Sequence, residues 1–290
     1  MQFDFSGALQ FLAYLNGQAP LRQVLNHPAY KIVSRHAQMF WGGITAQDVE
    51  NALAGKPSPF YGTESLKDNL PRITALLNLL DERQGEWCTM MKAELAHSFP
   101  NENLNITIYP ILGYDMGIGL NGAVCMNLNC AAYLSAPMEF LFYAIHECTH
   151  VIYERCHLIP TLAEICTPVQ WRSYFNLWTQ NEGFAVYAPL RMREKLGALD
   201  ERDYQVLFDM PQLEIHRKAY WHALERLSGE QPLSRDEYLE ICFGDMRLTY
   251  RIGCELLRRI ERAYGLEAVQ EAFLLDSNEF IARYQFLLLE

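Results

Sequence analysis

Residues 137–153 read PMEFLFYAIHECTHVIY and contain the pattern H-E-x-x-H, formed by His146, Glu147 and His150. Apolar and weakly polar positions recur through this stretch at helical spacing, which predicts an α-helix. Because residues four apart share one helix face, the two imidazoles can converge on a single zinc ion. Glu147 then projects beside the metal, where a carboxylate can take a proton from bound water. The alternative is a pair of hydrogen-bonded histidines in an ordinary core.

A catalytic zinc site usually has three protein ligands and one water. Cys156 stands where a third histidine follows this motif in one common arrangement, but Tyr153 replaces the glycine that turns the chain back on the metal. His157 follows His150 by a further seven residues, about 10.5 Å along a helix, which is too far for one shared ion. The third ligand is therefore expected from another part of the chain.

The best candidate for that ligand lies in residues 178–187, which read WTQNEGFAVY. They belong to a second helical pattern over residues 172–196, which Pro189 divides. Glu182 can reach in from an adjacent helix, and Gly183 and Ala185 are small enough to let two helices approach closely. The sequence thus predicts Glu182 as a zinc ligand; the alternative is a surface glutamate beside a small-residue helix contact.

The two histidines, Glu147 and residues 181–185 together resemble the gluzincin class of zinc metallopeptidases. The resemblance is closest to poorly characterised bacterial zinc-dependent peptidases with a later E-G-x-A motif. It implies a zincin-like fold, peptide-bond hydrolysis with Glu147 as general base on zinc-bound water, and a peptide or protein substrate. Those families also carry a Tyr-x-x-Gly helix near their end, and residues 250–261 read YRIGCELLRRIE.

The resemblance also implies a tyrosine or histidine on a later helix that donates a hydrogen bond to the developing oxyanion. Tyr250 is the first choice because it begins the Tyr-x-x-Gly segment, although a buried tyrosine bonded to a backbone carbonyl fits the sequence equally well. His216 and Tyr220, four residues apart on one predicted helix, are the reserve candidates.

The predicted fold class is α+β, mostly helical, with a small sheet beside the HExxH helix. Residues 105–112 and 123–128 have strand character, and residues 113–122 form a glycine-rich turn with an Asn121-Gly122 hairpin signal. The resemblance implies that an edge strand pairs with the substrate; the alternative is an ordinary structural hairpin. We expect a helical N-terminal region over residues 1–104 and a catalytic region over 105–290 with a helical C-terminal part, which can form one compact unit.

Composition limits the classes of function. The net charge of −11 disfavours binding to nucleic acid or to an anionic membrane surface. No stretch is long and apolar enough for a membrane span, and the N-terminus lacks a basic signal region. Eight scattered cysteines without a CxxC pattern indicate reduced thiols, and hence the cytoplasm. A zinc-binding protein that no longer cleaves, acting as a regulatory or partner-binding module, and a hydrolase of other amides are the competing functions.

Overall fold

The computed structural model describes residues 1–40, 42–100, 102–229 and 233–289. Its contacts divide the chain into two compact units: unit 1 comprises Met1–Ala93 and Asn103–Ile152, and unit 2 comprises Glu94–Glu102 and Tyr153–Glu290. These limits differ from the predicted division after residue 104, because each unit is assembled from two separate stretches of chain. Residues 41, 101, 230–232 and 290 of the two predicted regions lie outside the described ranges.

The described residues form an α+β protein that is mostly helical, as predicted. The strands are β1 (Gln2–Phe3), β2 (Thr107–Ile111), β3 (Gly117–Leu120) and β4 (Ala123–Asn127). The first helices are α1 (Ser6–Leu15), α2 (Leu21–Asn26), α3 (Pro28–Phe40), α4 (Ala46–Leu53), α5 (Leu66–Ser98), α6 (Ala131–Ser135) and α7 (Pro137–Cys156). The later helices are α8 (Pro168–Tyr187), α9 (Leu190–Leu196), α10 (Arg202–Phe208), α11 (Met210–Ser228), α12 (Arg235–Phe243), α13 (Leu248–Tyr264), α14 (Leu266–Leu274) and α15 (Ser277–Tyr284).

Unit 1 contains the sheet, whose strand order is β1-β2-β4-β3. β2 is parallel to both β1 and β4, and β3 runs antiparallel to β4 at one edge. The predicted hairpin between the strand regions 105–112 and 123–128 is therefore wrong, since these two strands are parallel neighbours. The true hairpin joins β3 to β4 through Asn121 and Gly122, which both have positive φ (53° and 77°), as a two-residue type I′ turn requires. A strand thus lies inside the segment that was predicted to be only a turn.

The core of unit 1 forms around β4, in which every residue is buried. On α7, Phe140 packs against Phe3 and Trp87, with ring centroids 6.1 Å and 6.2 Å apart. The inward face of α7 continues with Leu141, Ile145 and further apolar residues that are fully buried. This burial fixes the rotation of α7 about its axis and hence the direction in which its polar face points.

Unit 2 is built on a close crossing of α8 and α13. A Cβ atom on Gly183 would lie 2.6 Å from the carbonyl carbon of Gly253, and one on Gly253 would lie 2.7 Å from the Cα of Gly183. The two backbones therefore touch, and only glycine fits at either position. The predicted small-residue contact exists, but the helix that Gly183 meets is α13.

The ends of α8 follow from local sequence. Thr167 and Gln170 form a capping box at its start, with Pro168 at the first helical position. Pro189 separates α8 from α9, as predicted, and Gly265 separates α13 from α14. Within the described ranges, no helix combines the length and apolar character needed to cross a membrane.

Candidate metal centre

Helix α7 places His146 and His150 on one face, with their Nε2 atoms 3.2 Å apart. Two nitrogens bound to the same tetrahedral zinc at about 2.0–2.1 Å are separated by about 3.3 Å. The imidazoles are thus already at the spacing that a shared ion requires. Thr149, between them in sequence, is fully buried and donates its hydroxyl hydrogen bond to the carbonyl of Ile145 at 3.0 Å, so it belongs to the opposite, structural face.

Glu147 is buried against strand β3, with 7% of its surface exposed. A Cβ atom on Gly117 would lie 2.8 Å from Cγ and 3.0 Å from Oε1 of Glu147, and one on Gly119 would overlap the Glu147 carbonyl oxygen. The two glycines of β3 therefore leave the space that the Glu147 side chain and the α7 backbone occupy. The sequence showed a glycine-rich stretch here but gave no sign that these glycines face the motif.

In unit 2, Glu182 lies on α8 and is only 4% exposed. The hydroxyl of Tyr250, one turn before the helix crossing at Gly253, donates a hydrogen bond to the Glu182 carboxylate. Burial and then the charge of Glu182 raise the pKa of Tyr250 well above its ordinary value, so the hydroxyl keeps its proton. The crossing of α8 and α13 thus brings together the predicted ligand and the predicted hydrogen-bond donor.

His146, His150 and Glu182 each offer a donor atom, and these atoms lie within 4.8 Å of one another. Two imidazoles and one carboxylate form the ligand set of a typical catalytic zinc site, and a side-chain adjustment of about 1.5 Å would bring every pair to tetrahedral spacing. The group can therefore hold a metal ion. His157, which was rejected as a ligand, has another partner: its Nε2 is 2.7 Å from the carbonyl oxygen of Phe273.

A buried charged cluster lies next to Tyr250. The guanidinium carbon of Arg247 is 3.5 Å from the centroid of the Tyr250 ring, which is a cation–π contact. Asp203 accepts hydrogen bonds from Arg247 at 2.7–3.0 Å and from Nε of Arg251 at 3.0 Å. Burial alone would raise the pKa of Asp203, but the two guanidinium groups outweigh it and lower that pKa below its ordinary value.

The reserve candidates have structural partners in unit 2. Nη1 of Arg251 donates to Nε2 of His216 at 2.7 Å, so the His216 proton sits on Nδ1 and is donated to the carbonyl of Gln212 at 2.8 Å. Tyr220 is fully buried and its hydroxyl donates to Thr179 at 3.4 Å. Neither side chain belongs to the donor group.

Unit 1 also contributes a polar cluster that the sequence did not indicate. Nδ1 of His36 on α3 is 2.9 Å from the hydroxyl of Tyr114, and Tyr61 donates a hydrogen bond to Asp115 at 3.0 Å. Burial lowers the pKa of His36 to about 4 against the opposing charge of Asp115, so its ring is neutral at pH 7. Nothing in the pattern of α3 distinguishes His36 from a residue of an ordinary amphipathic helix.

The chain matches no protein-family model, no curated protein and no solved structure.

Proposed function

We propose that the protein is a zinc-dependent peptide-bond hydrolase of the gluzincin type, with a zincin-like fold. The observation that carries the proposal is the local structure around Glu147. The histidine pair sits at metal-binding spacing on the same helical turn, and Glu147 itself packs on an edge strand. A protein that only binds a metal has no need for a buried carboxylate between two ligands.

His146, His150 and Glu182 are the residues that would hold the ion. Two imidazoles with one carboxylate suit zinc, whereas magnesium and calcium prefer sites made entirely of oxygen ligands. Bound zinc would supply a water of lowered pKa and a positive charge that polarises the substrate carbonyl. The other chemical tasks fall to side chains.

Glu147 is assigned the role of general base. Its carboxylate accepts the proton of the attacking water and then passes it to the leaving amine. The backbone of β3 at Gly117 lies directly against Cγ and Oε1 of Glu147, which restricts the rotamers that the carboxylate can adopt. Tyr250 is assigned the oxyanion donor. Its single hydroxyl proton is donated to Glu182 in this structure and would turn to the oxyanion once a metal ion holds that carboxylate.

Strand β3 supports a peptide as the substrate. It lies at the end of the strand order, and among the described residues β4 is its only strand partner. Its other edge can therefore accept an extended peptide by main-chain hydrogen bonds, which is strand addition. Because Gly117 in this strand touches Glu147, a peptide bound there would run past the general base.

The proposal includes the cytoplasm as the location, because eight scattered cysteines suit a reducing compartment better than a disulfide framework. It includes a peptide or protein as the partner, and neither nucleic acid nor membrane, in keeping with the net charge of −11.

The test combines metal analysis with mass spectrometry of a mixed peptide library after incubation with the protein. We expect about one zinc per chain, peptide cleavage that a chelator abolishes, and a Glu147→Gln variant that keeps zinc but does not cleave. Glu82→Gln makes the same change at an exposed position of α5 and should cleave like the wild type. Zinc binding without cleavage would favour the non-catalytic zinc protein, and cleavage by Glu147→Gln would reject the assigned base.

A further inference from the structure

Arg247 has an unusual backbone conformation at the start of α13. Its φ and ψ are 46° and 47°, in the left-handed region that residues with a side chain rarely adopt. Such conformations cost free energy and persist where the surrounding structure imposes them, often at ligand-binding positions. We therefore expect contacts of the Arg247 side chain to stabilise this backbone conformation.

The guanidinium of Arg247 is only partly used by the protein. Nε and Nη2 donate to Asp203, but among the described residues Nη1 has no hydrogen-bond acceptor, and 18% of the side chain is exposed. Arg251, on the next turn, is different. It shares Asp203, donates from Nη1 to both His216 and the carbonyl of Met246, and is 9% exposed. Arg251 thus bonds to internal partners through Nε and Nη1, whereas Nη1 of Arg247 can donate to an acceptor on a bound molecule.

The charges of the cluster also leave room for an anion. Two guanidinium groups, on Arg247 and Arg251, share the single carboxylate of Asp203, so this trio carries a net positive charge. Two further carboxylates lie nearby: the charge of Glu201 interacts with Arg247 and also with Arg193, and Glu182 interacts with Arg247 but would give its charge to a bound metal ion. When Glu182 binds a metal ion, the arginines are left with an excess of positive charge, and an additional carboxylate at Nη1 would offset it by a charge-assisted hydrogen bond.

The position of Arg247 relative to Glu182 indicates which part of a substrate would supply that anion. The guanidinium stacks on the face of the Tyr250 ring, whose hydroxyl donates to Glu182, and the charge of Glu182 acts on Arg247. The carbonyl under attack would lie nearer to Tyr250. Because Arg247 contacts the ring of the same tyrosine, a substrate group beside that carbonyl is the candidate acceptor for its Nη1.

We propose that Nη1 of Arg247 binds a carboxylate of the substrate, either its free C-terminus or an acidic side chain close to the cleaved bond. This proposal rests on the proposed function and narrows it to substrates with a negative charge beside the reacting amide. Asp203 is the positioning residue for Arg247, and Arg251 shares this carboxylate without contacting Nη1.

The test is equilibrium dialysis of zinc-loaded Glu147→Gln protein, which cannot turn its ligand over, against mixed-sequence hexapeptides. Four pools are compared. Two have free C-termini and two have amidated C-termini, and within each pair one pool contains Asp and Glu while the other has Asn and Gln in their place. A charge-assisted hydrogen bond should enrich one anionic pool on the protein by roughly tenfold over its neutral counterpart. Loss of enrichment on amidation identifies the C-terminus, and loss on removal of Asp and Glu identifies a side chain.

Adding Arg247→Gln should abolish the enrichment, Arg247→Lys should retain part of it, and Arg251→Gln should retain most of it, with folding checked by circular dichroism. Equal retention of all pools, or enrichment that survives Arg247→Gln in folded protein, overturns the proposal while the hydrolase assignment stands. Enrichment lost equally in the Arg247 and Arg251 variants also overturns it, because the arginines would then act only on structure. Retention of no pool, combined with no cleavage by the wild type, rejects both the proposal and the proposed function.

Discussion

Replacing a glycine at the crossing of α8 and α13 should destabilise the protein. In Gly253→Ala the new methyl group would lie 2.7 Å from the Cα of Gly183 and would overlap the carbonyl oxygen of Thr179. Carbon atoms pack at about 3.5–4.0 Å, so the helices would have to separate by at least about 0.8 Å. Both obstacles are backbone atoms, and no side-chain rotation can relieve the clash.

The expected magnitude follows from two opposing terms. Overpacking of a well-packed contact costs about 1–3 kcal/mol, and a backbone obstacle places this case at the upper end. Alanine is favoured over glycine inside a helix by about 1 kcal/mol, which opposes the loss. We therefore expect Gly253→Ala to lower the free energy of unfolding by about 2 kcal/mol.

Gly85→Ala is the matched control, because it makes the same chemical change in the exposed interior of α5, where a Cβ atom meets nothing within 4 Å. Only the higher helix propensity of alanine acts at this position, so the free energy of unfolding should rise by about 0.5–1 kcal/mol. Urea unfolding followed by circular dichroism measures both variants. If Gly253→Ala proves as stable as the wild type while Gly85→Ala behaves as expected, α8 and α13 are not in backbone contact and the placement of Tyr250 beside Glu182 loses its basis.

Three further predictions concern single side chains. Glu182→Ala should lose most of its zinc on dialysis, whereas Glu82→Ala at an exposed helix position should keep it; full metal occupancy in the first variant would exclude Glu182 as a ligand. Tyr250→Phe should lower kcat by about 10²–10³ if the hydroxyl stabilises the oxyanion, and an unchanged kcat in steady-state assays would remove it from the mechanism. Asp203→Asn should destabilise the protein by about 3–5 kcal/mol at pH 7, because it breaks a buried ion pair. Since the folded-state pKa of Asp203 is lowered below 3.8, its contribution is present above that pH and disappears as the pH falls through the folded value. Urea titrations from pH 7 to pH 3 should therefore show the penalty shrinking, and a constant penalty would contradict the ion-pair account.

The histidine pair was predictable because its geometry is local. A single helical turn fixes the relation of His146, Glu147 and His150, so the helix prediction was enough to place two imidazoles together. The grouping of Glu182 with the two histidines was expected from a weaker signal, a carboxylate beside small residues on a second helix. The donor atoms do lie within 4.8 Å of one another, although Gly183 contacts α13 and not the helix of the two histidines.

The sheet shows where sequence patterns fail. β3 contains two glycines in four residues and therefore lacks the apolar alternation that identifies strands. The Asn121-Gly122 turn was predicted, but β3, the strand that precedes it, was not. As a result the sequence pattern predicted β2 and β4 to be the two antiparallel strands of a hairpin, whereas they are parallel. β3 contacts α7 through Gly117 and Gly119, and such a contact between distant segments leaves no periodic pattern in the sequence.

The cluster around Arg247 was not predictable for a related reason. Asp203 and Arg247 are 44 residues apart, and α10 itself was not foreseen. A positive φ at an arginine also contradicts the local preference of the residue, so propensity argues against the observed conformation. Places where local preference is overridden are expected at functional sites, and Arg247 is such a place.

Each of the two carboxylates in the candidate site is located by a glycine backbone. Gly117 lies against the Glu147 side chain, and Gly183, next in sequence to Glu182, lies against Gly253. A backbone contact has no rotamers, so it fixes the distance between elements more tightly than a contact between flexible side chains does. A carboxylate that moves protons or binds a metal needs its position fixed to within about 0.5 Å. Glycine is a poor residue for strands and helices, and its presence in β3, α8 and α13 is explained if precision at these carboxylates outweighs the loss of local stability.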